Sequence, residues 1–171
     1  MKRILLLALA VGLTLPASGQ TDVRDRIMDH FNGSVGKMVR LSEAMPSELY
    51  SWAPSEGTMT VAEVYAHIAR YNFMYLEENL GIPAPEGIDL DTMESETDKE
   101  VVRDLLLQSV EHVRKHVPAM TEEALAEETT LYGRAVSSWA VLMQLVAHMN
   151  EHVGQAVAYA RFNGVVPPWS S

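Results

Sequence analysis

Reading from Val23, apolar residues recur at alternating spacings of three and four. Val23, Ile27, Phe31, Met38, Leu41 and Met45, with Ser34 in the remaining position, form one stripe, the signature of an amphipathic helix over 22–44. Gly33 and Gly36 fall inside it, each costing about 1 kcal/mol relative to Ala in a helix interior, and Pro46 ends it. A connector over 45–59 follows, with Pro46, Pro54 and Trp52 as its aromatic anchor. Thr60-Val61-Ala62-Glu63 then reads as a capping box, in which Thr60 and Glu63 each satisfy the other's backbone amide. From there to Leu80 the chain is apolar on most faces (Val61, Val64, Tyr65, Ile68, Phe73, Met74, Leu76), which predicts a buried central helix.

Gly81 and Pro83 stop that helix. Residues 81–98 hold two Pro, two Gly and six acids, the composition of a long, solvated crossover loop. Thr97 and Glu100 read as another capping box before a third helix, whose inward residues are Val102, Leu105, Leu106, Ser109, Val113 and Val117, ending at Pro118. A short helical turn is expected from Thr121, then a loop through Gly133. Ser137 or Ser138 caps a fourth helix over Trp139–Phe162, and Asn163-Gly164 with Pro167-Pro168 stops it. No segment of strand period competes with these assignments. The pattern predicts an all-α, four-helix bundle with a long crossover loop between helices 2 and 3.

The first residues follow a different rule. Lys2 and Arg3 precede an apolar run from Ile4 to Leu15, and Ala17 and Gly19 occupy the small-residue positions before Gln20. This is a secretory signal over 1–19, too short in its apolar run for a membrane span, with a single domain over 20–171. A periplasmic or extracellular location is expected, without membrane attachment after cleavage. The chain has no Cys, so thiol nucleophiles and disulfides are excluded and metal ligands must come from His, Asp or Glu. Its 13 basic and 23 acidic residues give a net charge of -10; cleavage removes Lys2 and Arg3 and no acid, which takes the mature chain to -12. Such a surface repels nucleic acid. Ten Met against three Phe make the apolar set soft, suited to gap filling in a core.

Six His carry the chemistry in prospect. His148 and His152 lie four apart, on one shoulder of the apolar face of the fourth helix, with Gln155 close by. That spacing lets two imidazoles share one ion, and it equally fits two half-buried histidines. His67, on the stripe of Val64, Tyr71 and Met74, is a hydrogen-bonded core residue unless a neighbouring helix supplies partners. His112 and His116 share the spacing but sit in the last turns of the third helix, where the helix dipole favours a cation; they read as structural, and His30 as a helix-edge residue. His148-Met149-Asn150-Glu151-His152 matches the H-x-x-E-H peptidase string, yet no Asp or Glu follows His152 to serve as the acidic ligand, and Glu151 turns away from the pair.

Three segments together resemble the DinB/YfiT-like proteins. Leu49-Tyr50-Ser51-Trp52-Ala53-Pro54, leading through Thr60-Val61-Ala62-Glu63 to His67, is similar to that family's connector and second-helix His. His148-Met149-Asn150-Glu151-His152-Val153-Gly154-Gln155 looks like its fourth-helix H-x-x-x-H with Gly-Gln, and Arg161–Pro168 resembles its ending. The resemblance implies a four-helix bundle with one divalent metal ion on His67, His148 and His152, water completing the shell. Tyr71 and Gln155 are candidates to line the site, and equally fit a core aromatic and a helix-surface amide. Ligand type alone leaves Zn, Ni or Fe. It further implies a metal-dependent hydrolase or transferase acting on a small molecule, or a non-catalytic metal- or ligand-binding bundle with a stress-related role, and it allows a homodimer. Relatives that are thiol S-transferases use cytoplasmic thiols, which an exported protein would not meet.

Overall fold

The computed structural model describes residues 23–170, so the signal expected at 1–19 lies outside the described residues. Helix α1 spans Val23–Ala44, α2 Val61–Met74, α3 Lys99–His116, α4 Glu122–Ala126 and α5 Ser138–Phe162. A strand β1 (Glu128–Leu131) and a strand β2 (Arg134–Ser137) lie between α4 and α5. Helix α1 packs on α5 and α3, and α2 packs on the same two helices, so α1 and α2 occupy opposite corners of a four-helix bundle. The all-α expectation holds. The core between the helices is tightly buried: Phe31, Leu41, Ile68, Phe73, Leu76, Val102, Val141 and Met149 have no exposed surface. Five Met contribute to it (Met28, Met38, Met45, Met93 and Met149).

Local chemistry sets the helix ends. Thr60 accepts from the Glu63 amide at 3.2 Å while the Glu63 carboxylate accepts from the Thr60 amide at 2.6 Å, the reciprocal capping the sequence predicts. The connector completes this end, since the amides of Val61 and Ala62 donate to the carbonyls of Trp52 and Tyr50. Replacing Thr60 by Ala leaves the Glu63 amide without its side-chain acceptor. The expected cost is about 1 kcal/mol, seen as a lower urea midpoint at unchanged slope.

Three expectations need correction. Asp98, not Thr97, caps α3: its carboxylate accepts from the amides of Glu100 and Val101, the stronger acceptor taking the position. Helix α2 does not run uniformly to Leu80 but widens into a π turn over Tyr75–Asn79. The stretch before α5 is an antiparallel hairpin, with Glu128 opposite Ser137 and Leu131 opposite Arg134. Its turn pair, Tyr132 and Gly133, takes positive φ of 50° and 75°, as a tight two-residue hairpin turn requires. The hairpin docks on the π turn, where Thr129 Oγ1 donates to the Asn79 carbonyl and Asn79 Nδ2 to the Thr130 carbonyl. Ser137 holds the N-cap position of α5 without a side-chain capping bond. No helix among the described residues is long and apolar enough to cross a membrane.

Candidate metal centre

Helices α2 and α5 pack directly, and at their contact the bundle brings His67, His148 and His152 together. His148 and His152 stand one turn apart on α5 and are 8 % exposed; His67 faces them from α2. Nε2 of His148 lies 3.1 Å from Nε2 of His67 and 3.2 Å from Nε2 of His152. Among the described residues this is the group of three or more His, Asp or Glu whose ligand atoms converge, all within 4.8 Å of one another. Imidazole nitrogens bound at about 2.0–2.1 Å in a tetrahedral shell stand roughly 3.3–3.4 Å apart, close to the two separations from His148 to its neighbours. The three His could hold a metal ion.

The positions of the ring protons strengthen this fit. Nδ1 of His67 lies 2.9 Å from Oε1 of Glu94. A carboxylate only accepts, so Nδ1 carries the proton and the neutral ring presents a bare lone pair at Nε2. Nδ1 of His152 donates to Oε1 of Gln155 at 2.7 Å, while the amide nitrogen of Gln155 donates to the Tyr159 hydroxyl at 3.0 Å. In the neutral His152 ring this leaves Nε2 as the bare nitrogen. Nε2 of His148 sits between the two, and one proton there can satisfy only one neighbour. With all three rings neutral, at most one proton lies among the three converging nitrogens.

Electrostatics favours the neutral form of two of the donors. Burial pushes the His148 imidazole down to about 3, and the facing His152 and His67 add to the shift. Burial also lowers His67, with the hydrogen bond and charge of Glu94 opposing it. Deprotonated imidazoles are the form that binds metal. Rings fix the geometry: Tyr71 stacks on His148 at 4.4 Å between centroids and 23° between planes, and lies 4.4 Å from His67. Tyr75 meets His148 edge-on at 5.9 Å. Trp52, the connector anchor, meets Tyr159 edge-on at 5.3 Å, so the connector braces the Gln155–Tyr159 pair behind His152.

Tyr71 and Gln155 thus both touch the histidine cluster. Glu94 escaped the sequence reading, which took 81–98 as a solvated loop; the one available signal was Met93, an apolar residue in an acidic stretch, which is buried here. His112 and His116 stand apart from the cluster, their rings 4.6 Å from each other. His112 packs against Phe73, and burial lowers its basicity. Its role is structural, but as a neutral core group and not as the dipole-stabilised cation expected. His30 and Glu151 are exposed.

A bundle of this topology with a three-histidine cluster between its second and last long helices defines a class of α-helical proteins with a prospective metal site. The sequence profile of the DinB superfamily matches residues 31–156, and the chain belongs to that superfamily. It is 25 % identical over 146 residues to the uncharacterized protein YjoA of Bacillus subtilis (strain 168), covering 82 % of this chain and 90 % of that protein. The crystal structure of the YjoA protein matches with a TM-score of 0.62 at 26 % identity, over 81 % of this chain and 92 % of the other. A DinB-like protein from Bacillus cereus ATCC 10987 matches with a TM-score of 0.69 at 19 % identity, covering 84 % and 95 % of the two chains. A DinB family member from Exiguobacterium sibiricum 255-15 gives 0.65 at 23 %, covering 85 % and 95 %. These last two establish likeness of fold.

Proposed function

We propose that this is an exported protein that holds one divalent metal ion, Zn, Ni or Fe, on His67, His148 and His152, and acts on a small molecule as a metal-dependent hydrolase or transferase. The observation that carries the reading is the convergence of three Nε2 atoms whose neighbours Glu94 and Gln155 draw the ring protons of His67 and His152 to the far nitrogens. A three-histidine set leaves a coordination position open, and a metal so bound lowers the pKa of a bound water or polarises a substrate oxygen. The chain's own residues hold and orient the donors, and the surrounding aromatic rings shield them from bulk water. Export rests on the residue pattern of 1–19. The acidic surface argues for a small-molecule partner over nucleic acid.

The test is elemental mass spectrometry on tag-free protein, joined to a screen of ester, amide and thiol-addition substrates. About one equivalent of metal with turnover that disappears in the His148→Ala/His152→Ala protein supports the full reading. Metal without turnover on any of these classes reduces it to a non-catalytic metal-binding bundle. Absence of metal after reconstitution sinks it. Export is checked separately, by fractionating the full-length chain and sequencing its mature N-terminus, expected at Gln20.

A further inference from the structure

We infer that Glu94 is a positioning residue that makes the 81–98 crossover loop part of the metal centre, so that metal retention and docking of the loop are one linked equilibrium. The inference rests on the three-histidine reading and adds to it a loop whose acidic composition gives no sign of such a role. Its starting point is that a carboxylate 27 residues further along the chain reaches Nδ1 of His67.

Several contacts hold that carboxylate in place. Glu94 lies on a short 3-10 turn, Met93–Ser95, pinned by the buried Met93 side chain and by the Ser95 hydroxyl donating to the Thr92 carbonyl. Arg70, three residues after His67 and so on the same side of α2, gives the loop a second tether. Its Nε donates to the Leu90 carbonyl at 2.9 Å, and its Nη1 stands 3.8 Å from Oε1 of Glu94. Glu94 thus bridges a ring that faces the other histidines and a guanidinium that holds the loop.

The coupling follows from the hydrogen bond itself. A cation at Nε2 withdraws charge from the imidazole and polarises the Nδ1–H bond, so the contact to Glu94 becomes charge-assisted on both sides and strengthens. A contact stronger in one state than the other shifts the equilibrium between them, and the effect is reciprocal: metal tightens the loop, and the docked loop tightens the metal. Without the carboxylate, Nδ1 of His67 loses the acceptor that favours its proton there, and the ring keeps only its contacts with Tyr71 and the other two histidines.

The experiment measures Zn(II) affinity by chelator competition on the tag-free wild type, Glu94→Ala and Glu94→Gln, with hydrogen exchange of loop peptides over 85–96 read with and without Zn(II). Glu94→Ala is expected to weaken Zn(II) by about 10–100-fold. Glu94→Gln keeps an oxygen acceptor for Nδ1–H and should recover part of that loss, which a merely structural role for the charge would not predict. Zn(II) should slow loop exchange in the wild type and not in Glu94→Ala. Equal affinities in the wild type and both variants would overturn the inference while leaving the three-histidine site standing. If Glu94→Ala fails to fold, a wild-type loop whose exchange ignores Zn(II) overturns it on its own. A wild type that binds no Zn(II) would instead remove the metal reading and this inference together.

Discussion

With Zn(II) in large excess the wild-type protein should melt well above its chelated form, while the His148→Ala/His152→Ala protein melts at one temperature under both conditions. A ligand held only by the folded state at about 1,000 times its Kd stabilises by about 4 kcal/mol. In a domain of this size that corresponds to a rise of roughly 8–16 °C. The effect is expected to be large because much of the arrangement is in place: His148 Nε2 already stands 3.1 and 3.2 Å from its two neighbours, and Glu94 and Gln155 already engage the Nδ1 atoms of His67 and His152. The unfolded chain has no such arrangement, so binding energy appears as folding energy. Circular dichroism of the double variant confirms that the bundle is intact before the comparison is made. An equal Zn(II) shift in both proteins would place the metal elsewhere.

Acidification of the metal-free protein should lower its stability through the pH range just below 6.5. Burial depresses the His67, His112 and His148 imidazoles below their ordinary value in the folded state. Below pH 6.5 the unfolded chain binds protons on these groups and the folded chain does not, so stability rises with pH across the window and is lost on acidification. For His148, held near 3 in the folded state, the loss is about 1.4 kcal/mol for each pH unit below 6.5. His67 and His112 act in the same direction, His67 less strongly because Glu94 stabilises its cation. Urea denaturation at pH 7.0, 6.0 and 5.5 in the presence of a chelator measures the slope, and His148→Gln should flatten it. A stability that does not change between pH 7.0 and 5.5 would mean that the imidazoles protonate freely inside the fold.

The two predictions probe one arrangement from opposite sides. The bundle concentrates imidazoles where water cannot neutralise a proton's charge, which costs stability in acid and leaves lone pairs for a cation. Tyr71 contributes to both: stacked on His148, it excludes water and fixes the ring plane.

Much of this was legible in the chain. A period of three and four over Val23–Met45, the all-round apolar run after Thr60 and the Asn163-Gly164 stop are local rules, satisfied by residues within a turn or two of one another, and they determined the helices and their order. The four-residue spacing of His148 and His152 determined that these two rings share one face of α5, because helix geometry is nearly invariant. Strands of only four residues gave too little alternation to read, and the Tyr132-Gly133 turn lacks the Asn or Asp that would mark it. The π turn at Tyr75–Asn79 carries the hairpin docked on it, a contact across some 50 positions of sequence.

Tertiary structure alone decided that His67 meets the α5 pair, because ring convergence depends on how α2 and α5 pack and not on any spacing along either helix. It alone decided the place of Glu94. A loop has no period from which its course can be read, and six acids in one stretch look alike until burial of Met93 turns one carboxylate inward. The residues that could bind a metal were therefore determined largely by local sequence, while the protons on those residues, and with them the readiness of the site, were set by the fold.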